Sequence, residues 1–260
     1  MCNFFSFVTD PINHPAEYYF FDWEYRKANL EANDADSHSH ICKKFNLRED
    51  VCNKYEYNPL TKVFEIDQIN SEKDDSEAAK KWAKRLDFKS IVEPLIVKPI
   101  VNPFNLPKVE HPTDEQIGWL KEWIPVWASV RDSVRASVSD SVMASVWDSV
   151  WASVMDSVRD SAWASVRDLV WASVRASVSD SVMASVRDSV GYTVWDSVWA
   201  SVWAYISSFI SIEYKFDFSS AIKLWESGLV PSFDGTTWRL HSGVNADIVY
   251  EWTPEKGGGK

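Results

Sequence analysis

Arg175-Ala-Ser-Val-Ser-Asp-Ser-Val-Met-Ala-Ser-Val186 is three consecutive tetrads of the form x-(Ala/Asp)-Ser-Val, and the same twelve residues stand at 135–146. The tetrad runs without a break from Trp127 to Ile206, 20 copies in all. The fourth position is Val in 18 of them, Ala162 and Ile206 being the exceptions, and the second is Ala or Asp in all but Tyr192. The third is Ser except at Leu169, Thr193 and Tyr205, whereas the first draws almost entirely on Trp, Arg, Met and Ser. A duplicated twelve-residue block marks recent internal duplication, so the chain reads first as a repeat protein.

The period of four decides what the repeat is expected to fold into. An α-helix turns about 100° per residue, so a Val every fourth position advances about 40° per tetrad and never settles on one face. Supercoiling would have to reach 4.0 residues per turn, beyond the roughly 3.67 of right-handed repeats. Ser, Val, Asp and Trp also each cost about half a kcal/mol against Ala in a helix. An even period suits strands, where side chains alternate and every tetrad presents the same faces. The expectation is a β-solenoid over 127–206, about five four-sided coils if each side is one tetrad, with a long helical repeat as the alternative. Two features oppose the solenoid: residues 127–190 hold no Gly, Pro or Asn for corners, and Asp shares the nominal Val face.

Working outward, residues 1–93 predict a small α+β domain. Strands are expected at Phe4–Val8, Tyr18–Asp22 and Val63–Asp67, and a helix at Ser76–Leu86. Residues 94–126 carry prolines at 94, 99, 103, 107, 112 and 125, predicting an extended, packed connector without long helices. Within it Thr113 and Gln116 have the spacing of a capping box. Residues 207–260 predict a cap: a helix at Ser219–Gly228, a turn at Val230–Gly235, and a hairpin of Thr236–His241 with Ala246–Trp252.

Net charge is −11, and basic against acidic residues number 16 and 22 before position 127, 6 and 9 in the repeat, and 5 and 7 after it. Every segment is mildly acidic, which disfavours a phosphate-binding surface and therefore nucleic acid. Met1–Val8 lacks the basic start of a secretion signal, and no stretch reaches the roughly 18 apolar residues of a membrane span. Cys2, Cys42 and Cys52 form an odd set that suits a reducing compartment, so the expected location is a cytoplasm and no membrane partner is expected.

Three groups of residues carry candidate chemistry. Cys2, exposed by removal of Met1, would be a nucleophile whose own amine is the base. It resembles the start of N-terminal-nucleophile amidotransferases and of proteins that trap abasic DNA, but Asn3 stands where both usually have Gly. His38, His40 and Cys42 alternate, so on an extended segment all three face one way and, with Cys52, could bind zinc; otherwise no cofactor is expected. Asp36 lies beside His38 and His40 and could orient one of them as a general base, while the bland alternative is a polar turn leading into a helix at Ile41. In the repeat, Trp147, Trp151, Trp163 and Trp171 interleave with Arg159 and Arg167 at the first position, a surface able to grip a protein partner or merely to stack on itself. Arg239 and His241 read as a solvated hairpin face.

Met1–Val8, Asp36–Cys42, Asn53–Thr61, the tetrads and Val230–His241 together resemble proteins of bacteriophages and gut bacteria, and the Ala/Asp-rich units are analogous to pentapeptide-repeat β-helices although the period differs. The first resemblance brings no activity; it implies a phage or prophage setting and action inside the host cell. The function expected is a non-enzymatic repeat scaffold that binds a protein partner or itself. The alternative is a small enzyme or nucleotide-binding domain around Cys2, His38 and His40, displayed on a repeat stalk.

Overall fold

The structure, a computed structural model, describes residues 5–29, 37–92, 95–137, 170–190, 194–211 and 214–254. The chain divides into two compact units: residues 1–99 with 159–173 and 209–211, and residues 100–158 with 174–208 and 212–260.

The first unit is built on an antiparallel sheet of order β2-β1-β3-β4, formed by β1 (Phe5–Asp10), β2 (His14–Tyr19), β3 (Asn53–Asn58) and β4 (Val63–Gln68). Alternation sorts β1 by face: Phe5 and Phe7 lie on one side, directly opposite Tyr57 and Tyr55 of β3. Helix α3 (Ser76–Ala83) covers that side with Trp82, whose ring lies 4.8 Å from Phe7 and stacks on Tyr18 at 4.2 Å. On the opposite face Val8 packs with Ile41 and Cys42 of α2 (His38–Lys44) and with Phe21 and Cys52. The expected strand at Tyr18–Asp22 is displaced toward the N-terminus, because the Asp22 carboxylate accepts the Tyr25 amide at 2.8 Å and starts α1 (Trp23–Asn29) instead. The short α4 (Phe88–Ile91) closes the aromatic face with Phe88, 5.2 Å from Phe5.

The second unit holds α5 (Asp114–Ser137), α6 (Asp180–Val190), α7 (Trp195–Ser207), α8 (Ser219–Glu226) and a sheet of order β5-β6-β7 from β5 (Val230–Phe233), β6 (Trp238–Ser242) and β7 (Asp247–Trp252). The capping box of α5 is made by both bonds: Thr113 Oγ1 accepts the Gln116 amide at 3.2 Å, and Gln116 Oε1 accepts the Thr113 amide at 2.9 Å. The expectation that the prolines exclude a long helix is corrected here, since α5 spans 24 residues and runs through Pro125. Leu120, Trp123, Trp127 and Val130 give it one buried stripe, and Pro125 sits on the exposed side, where water can reach the carbonyl its ring leaves unpaired. The expected turn at Val230–Gly235 is likewise a strand as far as Phe233; the turn follows it, with Asp234 accepting the Thr236 and Thr237 amides.

The β-solenoid is overturned by the repeat itself. Every described tetrad, over 127–137, 170–190 and 195–206, is helical, and all its described fourth-position residues are buried. Two devices reconcile helix with a period of four. Before α6, Arg175–Ser179 forms a π-helical turn. An uninterrupted α-helix would rotate the row from Val174 to Val186 by about 120°, and five π-helical residues, turning roughly 80° each, take back about 100° of it. In α7 the remedy is different: nearly every residue from Ser197 to Ser207 is buried, so a rotating stripe always finds protein around it.

The tetrad serines complete the account. Ser197, Ser181 and Ser201 donate their hydroxyls to the carbonyls of Val194, Val178 and Ser197 at 2.8–3.1 Å. The same oxygens accept from outside the helix: Ser197 from the Phe233 amide at 2.8 Å and Ser181 from Asn102 at 3.2 Å. A hydroxyl satisfied on its own helix costs little there and still offers a lone pair to a neighbour. Where the pattern breaks, it breaks usefully. Tyr205, standing in a Ser position, stacks on Trp225 at 5.0 Å, and its hydroxyl accepts the Val101 amide at 2.7 Å while Trp225 donates to the Val101 carbonyl at 2.9 Å.

Candidate functional site

The edges of the two sheets differ in whether they carry proline. The β2 edge carries Pro15, Ala16 in a left-handed conformation (φ 66°) and a register shift against β1; the β5 edge carries Pro231. These are the devices that stop a strand from recruiting another. Among the described residues the β4 edge has no proline and pairs only with β3, also with a register shift, and it leaves Val63 and Ile66 46% and 50% exposed, with Ile69 exposed just beyond it. It is acidic through Glu65 and Asp67.

Beside β4 lie the residues that the sequence singles out. Ser37 caps α2 by accepting the His40 amide at 3.2 Å, and a helix, not an extended segment, follows. Side chains at i, i+2 and i+4 then cannot share a face: His38 and Cys42 turn inward and His40 is exposed. His38 is held from both ring nitrogens, Nε2 at 3.0 Å from the Tyr55 carbonyl and Nδ1 at 3.3 Å from Asp67 of β4. Both partners accept, so an imidazolium satisfies both and a neutral ring only one. Cys42 and Cys52 are buried and free in one apolar cluster, where their mutual interaction draws the Cys42 thiol below its ordinary range while it and burial push Cys52 up. The structure thus gathers Cys42 with Cys52 but sets His40 apart, and the single face on which the zinc set depended is not formed. Among the described residues no three His, Cys, Asp or Glu side chains are grouped so as to hold a metal ion.

Cys2, Trp147, Trp151, Trp163, Arg159 and Arg167 lie outside the described residues. Trp171 is half-buried, Trp127 and Trp203 are buried, and Arg131 lies over the Trp127 ring at 4.7 Å, so described tryptophans of the first position contribute to packing.

Two polar centres escape a reading of the sequence. Asp75, just before α3, receives three donors on one oxygen: Tyr55 at 2.6 Å, Asn53 at 2.8 Å and Thr9 at 3.1 Å. Asn53, wholly buried, also donates to the Lys73 carbonyl and accepts the Asn70 and Ser71 amides, tying the loop before α3 to β3. The other centre is His241, expected on a solvated face and found wholly buried, because a bulge between Leu240 and His241 shifts its register against β7. Its Nδ1 lies 2.9 Å from the Ala246 carbonyl, which can only accept; Nε2 is therefore the bare nitrogen and accepts the hydrogen bond that the Ser232 hydroxyl donates at 2.7 Å. Arg239, two residues earlier, is ion-paired with Asp234 and Glu251 at 2.6 and 2.8 Å, and Asp234 is held down to about 2, chiefly by the Thr237 amide.

Burial lowers the His241 pKa. A histidine kept neutral in the fold contributes stability that is present above its unfolded value, about 6.5, and is lost as pH falls through the folded value. Urea midpoints of the second unit are expected to drop progressively below about pH 6.5, and His241→Gln should flatten that part of the profile; an equal slope in the variant would assign the loss to other groups.

No helix among the described residues is long and apolar enough to cross a membrane. Comparison with protein-family models, with curated proteins and with solved structures finds no match.

Proposed function

We propose that the protein is a non-enzymatic scaffold that binds another protein by adding an extended segment of it to the outer edge of β4. The observation that carries this reading is the asymmetry of the first sheet: β2 is blunted by Pro15 and Ala16, while β4 has no proline, pairs only with β3 among the described residues, and exposes Val63 and Ile66. Strand addition takes its affinity from main-chain hydrogen bonds and its specificity from alternate side chains. An acidic strand in a chain of net charge −11 favours an apolar segment punctuated by Lys or Arg. The repeat supports the scaffold half of the reading. Its described valines are buried and its serines bond their own helices, so tetrads serve construction. A phage or prophage setting, with a host protein as partner, follows from the resemblance of the sequence.

The test is a paired capture from host extract with the wild-type chain and with Val63→Lys/Ile66→Lys, two changes at exposed positions that leave the core intact. A protein retained by the first and bound at least about tenfold more weakly by the second is expected, with amide exchange across 63–68 slowed in the purified complex. Equal affinity for both chains, or protection confined to other segments, would sink the assignment.

A further inference from the structure

We propose that Cys42 and Cys52 form a paired thiol site that a hydroperoxide converts into a disulfide. Cys42 stands in the last turn of α2 and Cys52 immediately before β3, and both belong to one buried cluster with Val8, Phe21 and Ile41. The segment between them makes two local turns, the Leu47 amide donating to the Cys42 carbonyl at 2.8 Å and the Cys52 amide to the Glu49 carbonyl at 3.4 Å. Both thiols belong to that one small cluster, so side-chain rotation is the main movement a bond between them requires.

The chemistry balances with hydrogen peroxide as the oxidant. Cys42 Sγ attacks one peroxide oxygen as its thiolate; the O–O bond breaks, and the departing hydroxide takes a proton to become water. The Cys52 sulfur then attacks the sulfenic sulfur of Cys42, expelling a second water and forming the S–S bond. Two thiols lose two electrons and two protons, and one peroxide becomes two waters. Burial keeps bulky thiol reagents out and leaves the small peroxide, entering during local opening, as the matched oxidant.

The experiment uses the full chain carrying Cys2→Ser, kept in chelator and treated with hydrogen peroxide, then read by intact mass and peptide mapping. Expected are a loss of about 2 Da, a peptide linking Cys42 to Cys52, and reversal by dithiothreitol. With Cys52→Ser added, Cys42 should instead give a sulfenic acid that dimedone traps. The proposal is overturned if both thiols survive peroxide that fully oxidises free glutathione, or if they pass separately to sulfinic acids without a linked peptide.

Discussion

Alanine in place of Asp75 is expected to destabilise the first unit by about 3 kcal/mol, the sum of three hydrogen bonds to one carboxylate oxygen at the lower end of the roughly 1–1.5 kcal/mol each contributes. The donors are Thr9 on β1 and Asn53 and Tyr55 on β3. Burial and the Asp75 carboxylate both hold the Tyr55 phenol protonated, its pKa raised well above the usual range, so the hydroxyl remains a donor that must find an acceptor. Removing the carboxylate strands that donor and frees the Asn53 amide on the same side. Asp75 is only half-buried, so water recovers part of the loss, which is why the sum is taken at the lower figure for each bond. Asp75→Asn keeps one acceptor oxygen and should fall between wild type and alanine. Hydrogen exchange at the β1 and β3 amides, read against urea, measures the effect in this unit alone; a change under about 1 kcal/mol in Asp75→Ala would show the three bonds to be passengers.

Nothing in the sequence marks Asp75 out, since it is one of two aspartates before a helix, and its partners arrive from 20, 22 and 66 positions away. Local chemistry was far more legible. Thr113 and Gln116 announce the start of α5 because each needs only the other, and Gly228, at φ 84°, ends α8 as the reading of Ser219–Gly228 required. His38, His40 and Cys42 misled because even spacing is ambiguous: it marks one face of a strand, yet a single Ser37 cap turns the same residues into a helix with two faces. The tetrad misled for the same reason at larger scale. Its arithmetic fits strands, whereas the helical solution depends on a π turn at 175–179 that no residue of that block distinguishes from its copy at 135–146, and on the burial of α7 from all sides. Both are set by what packs around the helix, and a pattern read one chain segment at a time does not contain them.

The sharpest separation of the two architectures comes from one substitution made at two neighbouring positions. In a strand Ala176 and Val178 face the same way, and since Asp already alternates with Ala at the second position, aspartate at either should cost a similar amount. In the helix they differ: Ala176 is exposed and Val178 is 2% exposed. Val178→Asp sets a carboxylate at a buried position, and the second unit is expected to lose about 4 kcal/mol or to fail to fold. Ala176→Asp exchanges one allowed second-position residue for the other and should cost only its helix propensity, about 0.5–0.7 kcal/mol. Thermal unfolding of the full chains, followed by circular dichroism, resolves a gap of that size. Comparable losses in the two variants would return the repeat to a structure of period two; a large loss confined to Val178→Asp fixes the buried valine row as what holds the tetrads together, and explains why the first position of each tetrad can vary while the fourth cannot.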